Sequence, residues 1–368
     1  MPNNSGTVWH SPTALANHLS CAHLSHLNRL ESAGRLKPIF RANPTLELLV
    51  ELGLRHEANY LKSLVKSGKS VDDLSDLKFP SDSTETVESL REGPDILYQP
   101  WLVASPWRGR ADFLIKTPGP SKLGEWSYEV ADTKLALNTK GSTVLQLCLY
   151  SEILGELQGV VPEFMHIVKP GSPFDIETLR VDDYMAYFRV AKNRYLEFFG
   201  LPEETKSYPD PCSHCAICKW AMHCEKTWRA DDHISYVAGI RKSQRIELNE
   251  QGISRLNAFA QSMKPLANRP RRGSIESFQR IHEQAKIQYK GRVSGKPEFE
   301  FLSNDPERGL HLLPEPNEGD VFFDIEGIPR ASSQGLEYLF GYVEVVGNQP
   351  KYHGLWALSK TDYTAHEN

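Results

Sequence analysis

Cysteine is scarce in this chain, six residues in 368, and four of the six stand together in "DPCSHCAICKWAMHCEK" (210–226). So uneven a distribution in a chain of this length argues against a disulfide framework and for ligation of a metal centre. Long apolar runs are missing too: no stretch approaches the ~20 residues a membrane span needs, and the opening "MPNNSGTVWHSPTALANHLS" has no basic segment followed by an apolar one. The expectation is a cytoplasmic protein with no membrane partner. Excess positive charge is absent as well, with 42 Lys and Arg against 47 Asp and Glu and a net charge of −5. Any nucleic-acid contact must then come from a local basic surface. Internal repeats and low-complexity tracts are not seen. What remains is 40% hydrophobic and 24% charged sequence, enough for a sizeable core and two or three domains.

Hydrophobic periodicity gives a layout. Ser11-Pro12 opens a helix over 12–32, and "TLELLVELGLRHEANYLKSLVK" (45–66) is a long amphipathic helix. A polar stretch, "SGKSVDDLSDLKFPSDSTE", reads as a loop. Three strand runs follow at 96–104, 107–116 and 126–134, then a helix near 141–156, a strand at 164–169, a further strand "FDIETLRV" and a helix over 182–199. The order is helix, three strands, helix, strand. "KSGKS" (66–70) mimics the end of a phosphate-binding loop, but Ser63 stands where its first glycine is required and a helix precedes it, so no helicase motor is visible.

The acids in this layout carry the chemistry. Residues two apart in a strand share a face, so Asp132 and Lys134 in "EVADTK" point together and Glu129 points oppositely. Asp112 in "GRADFL" interrupts an apolar strand pattern. A strand-interior carboxylate needs a partner, and two of them on adjacent strands form an oxygen site for Mg²⁺ or Mn²⁺. A lysine beside them suits hydrolysis of a phosphodiester. The plainer alternatives are ion pairs with Arg110 or Lys134, a packed or solvated His56, and a Tyr150 that is simply core.

The succession Gly53-x-x-His56-Glu57, Gly109-Arg-Ala-Asp112, Asp132-x-Lys134 and Gln146-x-x-x-Tyr150, threaded on that order of elements, resembles the RecB-family nucleases of the PD-(D/E)XK superfamily over residues 10–226. The resemblance implies an α/β fold with a restriction-endonuclease-like core and a metal-dependent deoxyribonuclease acting on single strands or strand ends in DNA repair or processing. It further implies that His56, Asp112 and Asp132 ligate the metal, that Lys134 assists the attacking water, and that Gln146 and Tyr150 help to place the DNA strand. The alternative from another class is a non-catalytic nucleic-acid-binding accessory module of a nuclease–helicase system.

The cysteines are spaced C-x2-C-x2-C-x5-C (Cys212, Cys215, Cys218, Cys224), with Cys21 far upstream and Cys148 in the apolar "LQLCLYS". Zinc held by the four clustered thiols is one solution. The iron–sulfur branch of the RecB-like nucleases implies another, a [4Fe–4S] cluster held by Cys21, Cys215, Cys218 and Cys224 that clasps the two ends of the domain. Cys212 is then spare, Cys148 a core thiol, and His214 and His223 exposed loop residues.

Residues 1–228 thus form the nuclease-like domain and 229–298 a helical linker. "LNEQGISRLNAFA" within that linker suits a helix–turn–helix unit around Gly252 or a plain connection. Between 264 and 296 lies the one local basic stripe, where Arg269, Arg271, Arg272, Arg280, Lys286, Lys290 and Arg292 are interleaved with Phe278 and Tyr289. It can track a nucleic-acid backbone or be a solvated helix face. In 299–368, "GDVFFDIEGIP" followed by "LEYLFGYVEVVG" resembles the start of a ribonuclease H-like, DEDD-type exonuclease domain. Asp324 and Glu326 there would contact Mg²⁺ as a second site. Such a domain needs further acids downstream, so the expectation is a piece of a longer nuclease–exonuclease, with a helicase in trans or in the missing part, ahead of the alternative of a truncated open reading frame.

Overall fold

Ser11 opens the first helix as expected. Its Oγ accepts from Ala14 N at 3.0 Å and Pro12 takes the first helical position of α1 (Pro12–Ser20). The single helix expected over 12–32 is broken at Cys21, whose extended backbone (φ −161°, ψ 104°) separates α1 from α2 (Ala22–Ser32). The break turns Leu24 and Leu27 onto Trp220 and Trp228, so packing with the far end of the sequence overrides local helical periodicity. In this computed structural model the described residues are 8–39, 42–171, 173–202, 205, 207–302, 306–307, 309–328 and 335–358. They divide into two units: residues up to 299 without 171–173, and that short loop with residues from 300 on. The final residues of the third sequence segment, 359–368, and Pro329 of its first motif lie outside the described set.

In the first unit α3 (Pro44–Lys66) is capped by Asn43, whose side chain accepts from Leu46 N at 3.1 Å. The polar stretch expected as loop holds a three-residue strand, β1 (Val71–Asp73), and the start of α4 (Thr84–Glu92), which buries Thr86, Ser89 and Leu90 and stops at Gly93 in left-handed backbone. The strand runs 96–104 and 107–116 are each cut in two, giving β2 (Ile96–Tyr98), β3 (Trp101–Ala104), β4 (Trp107–Arg110) and β5 (Phe113–Ser121). Both cuts fall on the same rungs. Pro100 has no N–H to give and Gln99 adopts φ +56°, while Gln99 N still donates to Asp112 O at 2.9 Å and Ala111 N to Pro100 O at 3.0 Å. The ladder is therefore bent, with Asp112 at the bend.

β6 (Gly124–Thr133), α5 (Gly141–Gln158), β7 (Phe164–Lys169), β8 (Asp175–Arg180) and α6 (Asp182–Gly200) follow close to their expected places. The result is a mixed α/β layer. Six strands run in the order β1-β2-β5-β6-β7-β8, with β1–β2 and β6–β7 parallel and the other pairs antiparallel, and β3–β4 forms a separate ribbon. Alternation sorts the two faces. Leu97, Leu114, Val130 and Ile167 meet α5, α1 and α6 in the main core, and Ile96, Phe113, Ala131 and Val168 meet Tyr60 of α3 on the other side. Helix α5 is buried around most of its girth, as its continuous apolar composition requires.

The rest of this unit is helical: α7 (Ala221–Ala230), α8 (Lys242–Glu250), α9 (Leu256–Gln261) and α10 (Ile275–Ser294). Helices α8 and α9 are joined through Gly252 at φ +81° and share a small core with Ile234, Phe278 and Ile281. The second unit is an antiparallel sheet of β9 (Val321–Ile328), β10 (Leu336–Val346) and β11 (Gln349–Trp356) in the order β11-β10-β9. Gly347 and Asn348, both at positive φ, make the two-residue turn between β10 and β11. Among the described residues no helix is long and apolar enough to cross a membrane.

Candidate metal centres

Asp132 is 1% exposed at the end of β6, on the face that carries α5. The Lys134 ammonium pairs with its Oδ2, and Gln146 Nε2 stands 3.5 Å from Oδ1. Burial first, then the neighbouring charge of Asp112, pushes this carboxyl well above the ordinary range, and Lys134 opposes that. Burial alone would lower the Lys134 ammonium, but the charges of Asp132 and Asp112 outweigh it and hold the group above its usual value. Asp112, at the bend between β4 and β5, accepts from both the backbone N–H and the hydroxyl of Thr133, each at 2.8 Å. The two carboxylates expected on adjacent strands are thus brought together with the lysine. Glu129 points to the opposite face, as the alternation requires, and pairs with His166.

The other members of the expected set divide. Tyr150 is buried and its hydroxyl donates to Arg110 O at 2.8 Å, so it braces the β4–β5 bend from within the core. Its neighbour Gly109 leaves it no room to spare: a Cβ there would lie 2.8 Å from Tyr150 Cε1 and 2.7 Å from Pro12 Cδ. His56 is buried with Nε2 2.9 Å from Val168 O and its ring against Phe174. Glu57 beside it is the α3 residue bonded to Gln99, whose backbone pairs with Asp112. Its carboxyl is raised by burial and then by the charge of Asp112. The sequence held the pair "HE" without a signal for which side chain turns inward, because successive helical residues diverge by about 100°. Thr133 was missed for a similar reason: its role needs the bend that brings Asp112 under it.

The cysteines meet more completely than the spacing required. Cys21, Cys212, Cys215, Cys218 and Cys224 all line one small cavity walled by Leu24, Leu27, Trp220 and Trp228. The turn Ser213–Ile217 and helix α7 carry the late cysteines, and the break between α1 and α2 carries Cys21. Cys212, spare in the sequence reading, has its Sγ 3.9 Å from that of Cys215. Backbone N–H groups point at two of the sulfurs, Cys212 N at Cys215 Sγ (3.5 Å) and Trp220 N at Cys218 Sγ (3.4 Å). Burial, followed by mutual repulsion, pushes the Cys224 thiol up to about 12, and burial raises Cys215 to about 11. Cys148 is a buried core thiol of α5, as expected. His214 is half-buried and shares the cavity, where an exposed loop position was expected. No three His, Cys, Asp or Glu among the described residues already stand in the arrangement of a single-ion site.

The basic stripe is partly engaged within the molecule. Arg271 pairs with Glu250 at 3.4 Å, Lys290 with Glu298 at 3.2 Å, and Arg292 with Asp232, while Arg272, Arg280 and Lys286 are exposed. Phe278 is fully buried and Tyr289 packs on the same small core, so these aromatics are not a stacking platform. In the second unit Asp324 and Glu326 share one face of β9, opposite Gly341 and Leu339, and both are exposed. The chain matches no family model and no curated protein.

Proposed function

We propose that the first unit is a metal-dependent DNA nuclease with a restriction-endonuclease-like core similar to the RecB family. It would act on single strands or strand ends, in the cytoplasm. One observation carries this reading: Asp132, a carboxylate only 1% exposed, sits between Asp112 and Lys134. A protein that gained nothing from this charge would replace it with an apolar residue, since burying it is costly. The oxygen donors of Asp112 and Asp132 fit Mg²⁺ or Mn²⁺. The bound cation would neutralise phosphate charge and make water a better nucleophile.

Around it, the chain's own groups have separate tasks. Lys134 offers an ammonium to the charge that develops on the phosphate. Thr133 fixes the angle of Asp112 through two hydrogen bonds, and Tyr150 locks the bend on which Asp112 stands. The cysteine cavity fits a [4Fe–4S] cluster on Cys21, Cys215, Cys218 and Cys224, with a thiol donor set backed by Leu24, Leu27, Trp220 and Trp228 and with His23, Asp210 and His214 also in its lining. When bound, the cluster would staple α2 to α7. Arg272, Arg280 and Lys286 supply a surface for the DNA backbone. The second unit is read as ribonuclease H-like, with Asp324 and Glu326 as its acids, and a helicase is the expected partner.

The test is cleavage of end-labelled single-stranded and duplex DNA by the anaerobically purified chain, with Mg²⁺ or Mn²⁺. Cleavage is expected with either cation, abolished by chelation and reduced by about 10² or more in Lys134→Ala. Binding of DNA without cleavage under either cation would replace the nuclease by a non-catalytic accessory module.

A further inference from the structure

Helix α3 offers two neighbouring side chains to the carboxylate site, and sequence pattern points to His56. We infer that Glu57, and not His56, is the α3 residue that completes the divalent-cation site. The inference rests on the nuclease reading and deepens it by adding a ligand that the sequence resemblance does not supply.

Glu57 is held at the rung of Asp112. Gln99 lies directly across from Asp112, giving its backbone N–H to Asp112 O at 2.9 Å and its side-chain Nε2 to Glu57 Oε1. The Tyr98 hydroxyl bonds the same carboxylate. Gln99 does this from φ +56°, left-handed backbone that a residue with a side chain rarely adopts and that persists where surrounding contacts enforce it. The bend is thus shaped so that one residue grips both Asp112 and Glu57.

His56 is turned elsewhere. Its Nε2 donates to Val168 O on β7, and its ring packs on Phe174. Val168 stands beside Thr133, on the side of β6 away from β5. The two neighbours of α3 therefore address different groups, Glu57 the strand pair that bends at Asp112 and His56 the Val168 carbonyl, which also accepts from Lys134 N at 3.0 Å and so occupies the imidazole nitrogen. Asp132 supplies an independent sign that a cation belongs here, because a carboxylate buried this deeply beside a second one, Asp112, is paired with a single ammonium, that of Lys134. Three carboxylates against the Lys134 ammonium and the Arg110 guanidinium leave a net negative charge that a divalent cation would offset.

The experiment is calorimetric titration of Mn²⁺ into the full chain, with melting temperature recorded for every variant. Asp132→Asn defines the heat that belongs to this site. Glu57→Gln, which keeps the size and the Gln99 contact, is expected to weaken that binding tenfold or more, and Glu57→Asp to recover part of it. His56→Gln is expected to stay within twofold of the parent. The reverse order, or equal losses in Glu57→Gln and His56→Gln, overturns the inference and leaves the nuclease reading in place. If Asp132→Asn removes no binding, the cation site itself fails and the inference falls with it.

Discussion

Two glycines that belong to the same sequence resemblance should respond to alanine with opposite signs. A Cβ at Gly109 would meet Pro12 Cδ at 2.7 Å, Tyr150 Cε1 at 2.8 Å and Pro12 Cγ at 2.9 Å. Carbon atoms settle at about 3.5–4.0 Å, so one neighbour must retreat by close to ~1 Å. Neither is free to do so. The segment before Pro12 is pinned by His10 N to Pro106 O (2.8 Å) and Arg108 N to His10 O (2.9 Å), and Tyr150 is buried with its hydroxyl on Arg110. Overpacking of this kind costs about 1–3 kcal/mol, and the upper half of that range applies where both walls are fixed. At about 2–4 °C per kcal/mol for a unit of this size, Gly109→Ala should melt about 4–12 °C lower. Gly53, inside α3, has nothing within 4 Å of its added Cβ, so Gly53→Ala should gain about 0.5–1 kcal/mol from helix propensity and melt slightly higher. Thermal unfolding by far-ultraviolet circular dichroism measures both. A Gly109→Ala protein as stable as the parent would refute the packing argument, since its backbone is not in the left-handed region and nothing else would demand glycine there.

Burial lowers the imidazoles of His10, His18, His233 and His282 below their ordinary value of 6.5. The folded state therefore holds them neutral; their contribution is intact above about pH 6.5 and lost as the pH falls from there towards the lowered values. Denaturant midpoints should drop between pH 7 and pH 5, and less steeply in His10→Gln, which removes the ring held by Tyr195. Iron analysis should find about four irons per chain, lost in Cys21→Ser and retained in Cys212→Ser; the opposite result would move the ligand set onto the fifth cysteine. Replacing Arg272, Arg280 and Lys286 together by alanine should weaken single-stranded DNA binding and flatten its salt dependence by about two to three charges, with little change in melting temperature. Arg292→Ala should instead act on stability, because that guanidinium is paired with Asp232.

Much of the architecture was legible wherever a single element carries its own signal. The β7 strand coincides with its apolar run, and α3, α5 and α6 follow their periodicity and caps to within a residue or two. Asp132 and Lys134 could be placed on one face from alternation alone. What escaped depends on distant parts of the chain. The break at Cys21 exists because α2 is drawn onto Trp220 and Trp228, and the bend at Asp112 exists because Pro100 and Gln99 disturb the facing strand at the same rung. The bond between Glu57 and Gln99 follows from that bend. β1 was hidden because three residues are too few to show a period, while α4 did carry the mark of Gly93. In the basic segment, composition showed the charges but not the acidic partners that hold three of them.

The seam between α2 and α7 also sets a schedule. Leu24 and Leu27 leave the ribosome early, yet the residues that cover them, Trp220, Cys224 and Trp228, are made about two hundred positions later. At translation speeds of about 5–20 residues per second, that apolar stripe waits on the order of 10–40 s for its cover. The carboxylates at 112 and 132 are synthesised within this interval, before the two ends of the unit can close around them.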